Sequence, residues 1–157
     1  TKRDYLQRMQ NNKVFCMGIA KKYENQYWDG NRKFGYGGYR YIPGRLTKIT
    51  KLLITRFKLT NKSKILDVGC GKGFLLYEIK KILPGATVVG LDISKHGIKN
   101  CHPSLKNNLK IFDAKKNYHS KMANLILPYL LVYTIIFQYL NLKNLLKNFL
   151  EFQKKTT

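Results

Sequence analysis

Acidic residues are scarce in this chain: 8 Asp+Glu stand against 30 Lys+Arg, a formal net charge of +22 over 157 residues. Such an excess attracts polyanions, so nucleic acid and anionic membrane surfaces enter as partners to weigh. The lysines are scattered through every segment, and Asn and Ile are abundant beside them, so a compositional bias is the competing explanation. Cysteine is also short. Cys16, Cys70 and Cys101 lack disulfide or metal-ligand spacing, which suits a reducing cytoplasm. His102 beside Cys101 has no second Cys/His pair, so no metal site is expected. The polar start, Thr1 to Asp4, carries no signal-peptide pattern and lacks Met, as a fragment would. The length suits one domain with a real core, not comfortably two.

Residues 4–23 read as a helix, with Leu6, Met9, Phe15, Ile19 and Ala20 as its apolar positions. The stretch "YWDGNRKFGYGGYRYIPGR", Tyr27 to Arg45, has neither helical nor strand period and reads as an ordered loop. Residues 46–58 resume a helix with Leu46, Ile49, Leu53 and Phe57 on one side. An alternation follows: strand 64–68, helix 73–83 stopped by Pro84-Gly85, strand 87–92, a short helix near 95–101 capped by Ser94, and strand 109–113. Strand–helix–strand–helix–strand predicts a parallel sheet with helices on its faces and ligands at the strand C-termini.

Gly69, Gly71 and Gly73 are spaced G-x-G-x-G directly after the first strand. Glycine lets a backbone turn sharply and approach a ligand, and the next helix N-terminus offers free N–H groups. The frame excludes a P-loop and misses the NAD fingerprint by one residue. A purely structural tight turn is the competing reading. Asp67, Asp92 and Asp113 sit at the ends of the three strands, a pointed placement in so basic a chain. A carboxylate at Asp92 can accept both hydroxyls of a ribose, or simply cap a helix.

"ILDVGCGKG", "VVGLDIS" and "IFDA" resemble, in order and spacing, the first three motifs of class I S-adenosylmethionine-dependent methyltransferases. The resemblance covers residues 64–114 and implies S-adenosyl-L-methionine as cofactor. It implies that Asp67 orients the glycine loop, and that Gly69, Cys70, Gly71 and Gly73 back the methionyl moiety. It places Asp92 on the ribose, Ile93 beside the adenine, and Asp113 and Ala114 around the adenine. The Tyr27 to Arg45 segment resembles that of a small bacterial subgroup associated with surface polysaccharides. Tyr36, Tyr39, Arg40 and Arg45 become candidate lid or acceptor contacts, against the alternatives of a loop packed on the sheet edge or a surface for stacking single-stranded nucleic acid. No acid–base pair stands out, and His96 and His102 read as surface residues, so no catalytic residue is named.

The implied fold is α/β, a Rossmann-like class I methyltransferase sheet, incomplete with three predicted parallel strands. The expected organisation is residues 1–60 as helices and Gly/Tyr-rich loop, 61–117 as the cofactor-binding half, and 118–157 as an atypical hydrophobic and basic helical tail. Residues 124–142 are uncharged and long enough for a membrane span, a reading that Asn124, Pro128, Gln138 and Asn141 weaken; a soluble amphipathic helix plugging the sheet face is the second reading. A shifted reading frame near Asn117 would permit a family-like fourth strand, so 118–157 also reads as an out-of-frame tail. The expected function is a cytoplasmic methyltransferase of a small molecule or glycan precursor, truncated and of uncertain competence. Its alternatives are an RNA-binding or RNA-methylating protein and a membrane-attached remnant.

Overall fold

The computed structural model of the chain describes residues 13–113 and the backbone of residues 130–132. Four parallel strands form one open sheet in the order β3-β2-β1-β4. They are β1 (Lys64–Val68), β2 (Thr87–Asp92), β3 (Leu109–Ile111) and β4 (Leu130–Val132). The registers pair Asp67 with Gly90 and Val132, and Gly90 with Leu109. From β1 the chain builds outward to β2 and β3, then returns to the other side of β1. A parallel sheet opens a ligand crevice at such a reversal, outside the strand C-termini.

Consecutive burial of Ile65 and Leu66, both 0% exposed, marks β1 as covered on both faces, which is why it reads as a continuous apolar run. The helices among the described residues are α1 (Lys13–Ala20), α2 (Asn25–Trp28), α3 (Thr47–Arg56), α4 (Phe74–Ile82) and α5 (Lys95–Lys99). Leu75, Leu76 and Ile79 of α4 join Ile65, Val88 and Leu109 in the core. Leu46, Ile49, Leu53 and Ile54 bring α3 against the same cluster. The sequence reading put Phe57 on that face as well. Instead α3 ends at Arg56, and Phe57 turns out to 45% exposure. Ser94 caps α5 as expected, its Oγ accepting the Gly97 N–H at 2.8 Å.

Two terminal expectations change. Of the predicted helix 4–23, residues 1–12 lie outside the described residues, and α1 begins at Lys13. The strand count rises from three to four, because Leu130–Val132 pairs with β1 inside the segment read as a helical tail. Its backbone hydrogen-bonds laterally, so no continuous helix runs through 124–142 at that point. The rest of 118–157, with the membrane-span and shifted-frame readings placed on it, lies outside the described residues. Among the described residues no helix is long and apolar enough to cross a membrane.

Candidate functional site

The turn after β1 is built from left-handed backbone: φ is +85° at Gly69, +57° at Gly71 and +74° at Gly73. Only glycine adopts these angles without strain. The turn is tied to β2, with Gly69 and Cys70 N–H donating to the Leu91 carbonyl at 2.7 and 3.1 Å. Asp92 completes the tie. Its Oδ2 accepts the Gly71 N–H and its Oδ1 the Ser94 N–H, both at 2.8 Å. Burial pushes the Asp92 carboxyl above the usual carboxylate range, against the pull of these backbone hydrogen bonds. The Phe112 N–H donates to the Asp92 carbonyl at 2.8 Å, which draws the end of β3 to the same edge. Asp67 lies fully buried beneath the turn. Burial, then the nearby Asp67 and Asp92, push the Cys70 thiol far up, so it is an inert wall.

The glycines also serve packing, which refines the sequence reading. A Cβ on Gly71 would meet Trp28 Cη2 at 2.7 Å, and one on Gly73 would meet Leu109 Cδ1 at 2.8 Å. The bare side of Gly71 is thus taken by an indole of this same chain.

That indole belongs to the Tyr27 to Arg45 segment, which folds down onto the turn. Trp28 is buried, and its Nε1 donates to the Tyr23 carbonyl at 2.9 Å and to Ser94 Oγ at 2.8 Å. Lys72, inside the glycine turn, reaches both Asp29 carboxylate oxygens and the Tyr39 carbonyl, each at 2.8 Å. His96 Nε2 adds a contact to Asp29 Oδ2 at 2.7 Å. Partial burial works against the Asp29 charge, but the hydrogen bonds from Lys72, His96 and the Tyr39 N–H outweigh it and hold the carboxyl below its usual range. Glu24 accepts the N–H groups of Lys95 and His96 at the start of α5, at 3.3 and 3.0 Å.

Rings continue the contact. Trp28 stacks on Tyr36 with centroids 5.3 Å apart and planes 3° apart, Tyr36 meets Tyr39 at 4.6 Å, and Tyr39 stacks on Phe74 at 5.2 Å. Phe74 opens α4, so this aromatic wall borders the glycine turn directly. Burial is the first cause that raises the Tyr36 and Tyr39 phenols, which therefore stay protonated donors. Beside the wall lies a cavity of about 290 Å³ lined by Tyr36, Tyr39, Arg40, Tyr41, Arg45 and Phe74.

The structure therefore brings Asp67, Gly69, Cys70, Gly71, Gly73 and Asp92 to one sheet edge. Ile93 stands 46% exposed next to them and Asp113 is half-buried after β3, while Ala114 lies outside the described residues. Tyr36, Tyr39, Arg40 and Arg45 gather at the adjoining cavity. His96 and His102 are not plain surface residues: His96 pairs with Asp29, and His102 stacks on Tyr77 at 3.5 Å. Sequence reasoning missed Trp28, Asp29 and Lys72. An Asp beside the only Trp, in a chain so short of acids, was the available signal. Among the described residues no cluster of His, Cys, Asp and Glu has the arrangement to hold a metal ion.

Residues 59–126 match the family model described as a methyltransferase domain. No curated protein matches the chain. Among solved structures, coclaurine N-methyltransferase bound to N-methylheliamine and SAH is similar at 16% identity and a TM-score of 0.40, over 76% of this chain and 40% of that one. The plantazolicin methyltransferase BpumL, in complex with a monoazolic desmethylPZN analog and SAH, is similar at 23% identity and a TM-score of 0.36, over 69% of this chain and 45% of that one. The chain thus spans under half the length of these structures. The order of the motifs and the parallel sheet agree with the match of residues 59–126 to a methyltransferase domain.

Proposed function

We propose that this chain binds S-adenosylmethionine at the C-terminal edge of its sheet and transfers the methyl group to a small-molecule or glycan-precursor acceptor. The observation that carries the reading is the joined pair of Asp92 and the glycine turn. Three left-handed glycines follow β1, and the carboxylate ending β2 is folded against them. The donor set fits the cofactor. Each Asp92 oxygen accepts one backbone N–H and keeps a second lone pair for a ribose hydroxyl. The turn's own cation, Lys72, is held by Asp29 and is not turned to a pyrophosphate.

The bound cofactor supplies an electrophilic methyl group on a sulfonium. The chain's own residues hold and orient. Gly69, Cys70, Gly71 and Gly73 would back the methionyl end, Asp92 the ribose, and Ile93 and Asp113 the adenine. The wall of Trp28, Tyr36, Tyr39 and Phe74 keeps water from one side of the turn. Alignment of acceptor and methyl group is the larger part of such catalysis. The protonated phenols of Tyr36 and Tyr39 serve as hydrogen-bond donors to the acceptor.

Calorimetric titration with S-adenosylmethionine tests the reading. The parent chain binds. Asp92→Asn keeps the shape but loses the charged acceptor, and affinity falls about tenfold or more, as hydrogen bonds to charged groups are worth about 1.5–3 kcal/mol. A parent that does not bind sinks the proposal. The charge of +22 supports a second reading, methylation or binding of RNA. That reading requires RNA affinity that falls steeply with salt.

A further inference from the structure

We propose that the acceptor is a small ring compound bearing an anionic group, a carboxylate or a phosphate, and that Arg40 and Arg45 grip that group in the cavity beside the aromatic wall. The inference rests on the acceptor-side reading above and adds the charge and size of what the site takes.

Arginine is the scarce cation here. The chain has only Arg3, Arg8, Arg32, Arg40, Arg45 and Arg56, against a large excess of lysine. Half of them fall between Tyr27 and Arg45. Arg32 is spent on structure, donating to the Tyr36 carbonyl. Arg40 and Arg45 line the cavity, and no ion pair ties either to an acidic side chain among the described residues. A guanidinium presents a planar fork of donors that matches a carboxylate or phosphate in two bonds, which an ammonium does not.

The nearby carboxylates are already engaged. Glu78 accepts from the Tyr41 hydroxyl, from Thr47 Oγ1 at 2.7 Å and from Lys81 Nζ at 3.3 Å. Asp29 is held by Lys72 and His96. The cavity therefore keeps a positive field. The field of Arg45 reaches the Tyr36 and Tyr39 phenols, where it opposes the upward push of burial. Those same phenols, only half-buried, line the cavity with ring surface for a sugar or aromatic ring. At about 290 Å³ the cavity sits at the small end of ligand sites, which run from about 300 to 1,000 Å³, a size that suits one ring with its anionic group. Phe74 is shared between this cavity and the start of α4, directly after Gly73, so an occupant lies next to the cofactor edge.

The test uses the full chain and titrates glucose 6-phosphate, glucuronate, inorganic phosphate and neutral glucose, each with and without S-adenosylhomocysteine. The expected result is binding of at least one of the two anionic sugars and none of glucose. Arg40→Ala and Arg45→Ala each weaken it about tenfold or more, and Arg45→Lys weakens it less than Arg45→Ala. Glucose 6-phosphate without glucuronate assigns a phosphate acceptor; the converse assigns a carboxylate. Equal binding of glucose, failure of both anionic sugars, or unchanged affinity in both alanine variants overturns the inference. So does Arg-dependent binding of an oligouridylate without sugar binding. Both alanine variants should keep the parent melting temperature, since among the described residues no ion pair ties either arginine side chain to the fold. Loss of S-adenosylhomocysteine binding with Arg-dependent sugar binding intact sinks only the cofactor reading. Intact S-adenosylhomocysteine binding without sugar binding sinks only this one.

Discussion

At the scale of single residues, Gly71 is constrained twice. Its φ of +57° favours glycine, and its missing Cβ leaves room for Trp28 Cη2. The two constraints separate in a double-mutant cycle. Gly71→Ala pays the left-handed penalty of about 1–2 kcal/mol and adds a clash with a buried indole. Trp28→Ala costs about 3–5 kcal/mol, typical of a buried aromatic removed from a packed site. With the indole gone, the added methyl of Gly71→Ala loses the three atoms nearest to it. The double variant should therefore be more stable than the sum of the single losses, by a coupling of about 0.5–3 kcal/mol in urea denaturation. Strict additivity would mean that Trp28 does not rest on the turn.

At the scale of elements, the clasp of the Tyr27 to Arg45 segment depends on Asp29 and Lys72. The Lys72 side chain is 7% exposed and that of Asp29 is 29% exposed, so the two losses differ. Asp29→Asn leaves a buried ammonium with only neutral acceptors, and the cost approaches the 3–5 kcal/mol or so of a broken buried pair. Lys72→Met leaves a partly solvated carboxylate still served by His96 and the Tyr39 N–H, and should cost less. Denaturation midpoints order the two, and tryptic cleavage between Tyr27 and Arg45 should speed up in both. The pH dependence has a definite sign. The folded Asp29 carboxyl lies below its ordinary value, so its contribution is present above about pH 4 and is lost as pH falls through the lower folded value. Asp92 is raised, so its titration works the other way, lowering stability as pH rises through its folded value. Asp29→Asn should therefore flatten the acid limb of the stability curve between pH 5 and 2 or so.

The same scale shows what the sequence made legible. Local patterns carried β1, the glycine turn, α4 and β2, because strand period, left-handed glycines and a Pro-Gly stop act within a few residues. The end of α3 was misjudged at Phe57, which the periodic pattern still counted although the helix had already closed. β4 was illegible. Leu130–Val132 sits in a long apolar run with no alternation, and only pairing with β1 defines it. The clasp was hidden for a related reason: Asp29 and Lys72 meet through the fold, and a charge pair so distant in sequence leaves no period to read.

At the scale of the whole molecule, the charge of +22 sets a background that every local contact works against. Like charges on a compact body repel more than on an expanded chain, so the excess lysine destabilises the fold at low salt. Salt shortens the screening length from about 30 Å at 0.01 M to about 3 Å at 1 M, while a buried pair such as Asp29–Lys72 is screened much less. The melting temperature should therefore rise as sodium chloride increases from about 0.01 to 0.5 M, and a fall would mean that exposed ion pairs outweigh the net repulsion. Sodium phosphate at matched ionic strength separates general screening from a specific site. If Arg40 and Arg45 form a built anion site, phosphate should raise the melting temperature beyond chloride by mass action on the folded state. That excess should vanish in the Arg40→Ala, Arg45→Ala double variant while the chloride response remains, because two charges among so many barely alter the background but remove the fork.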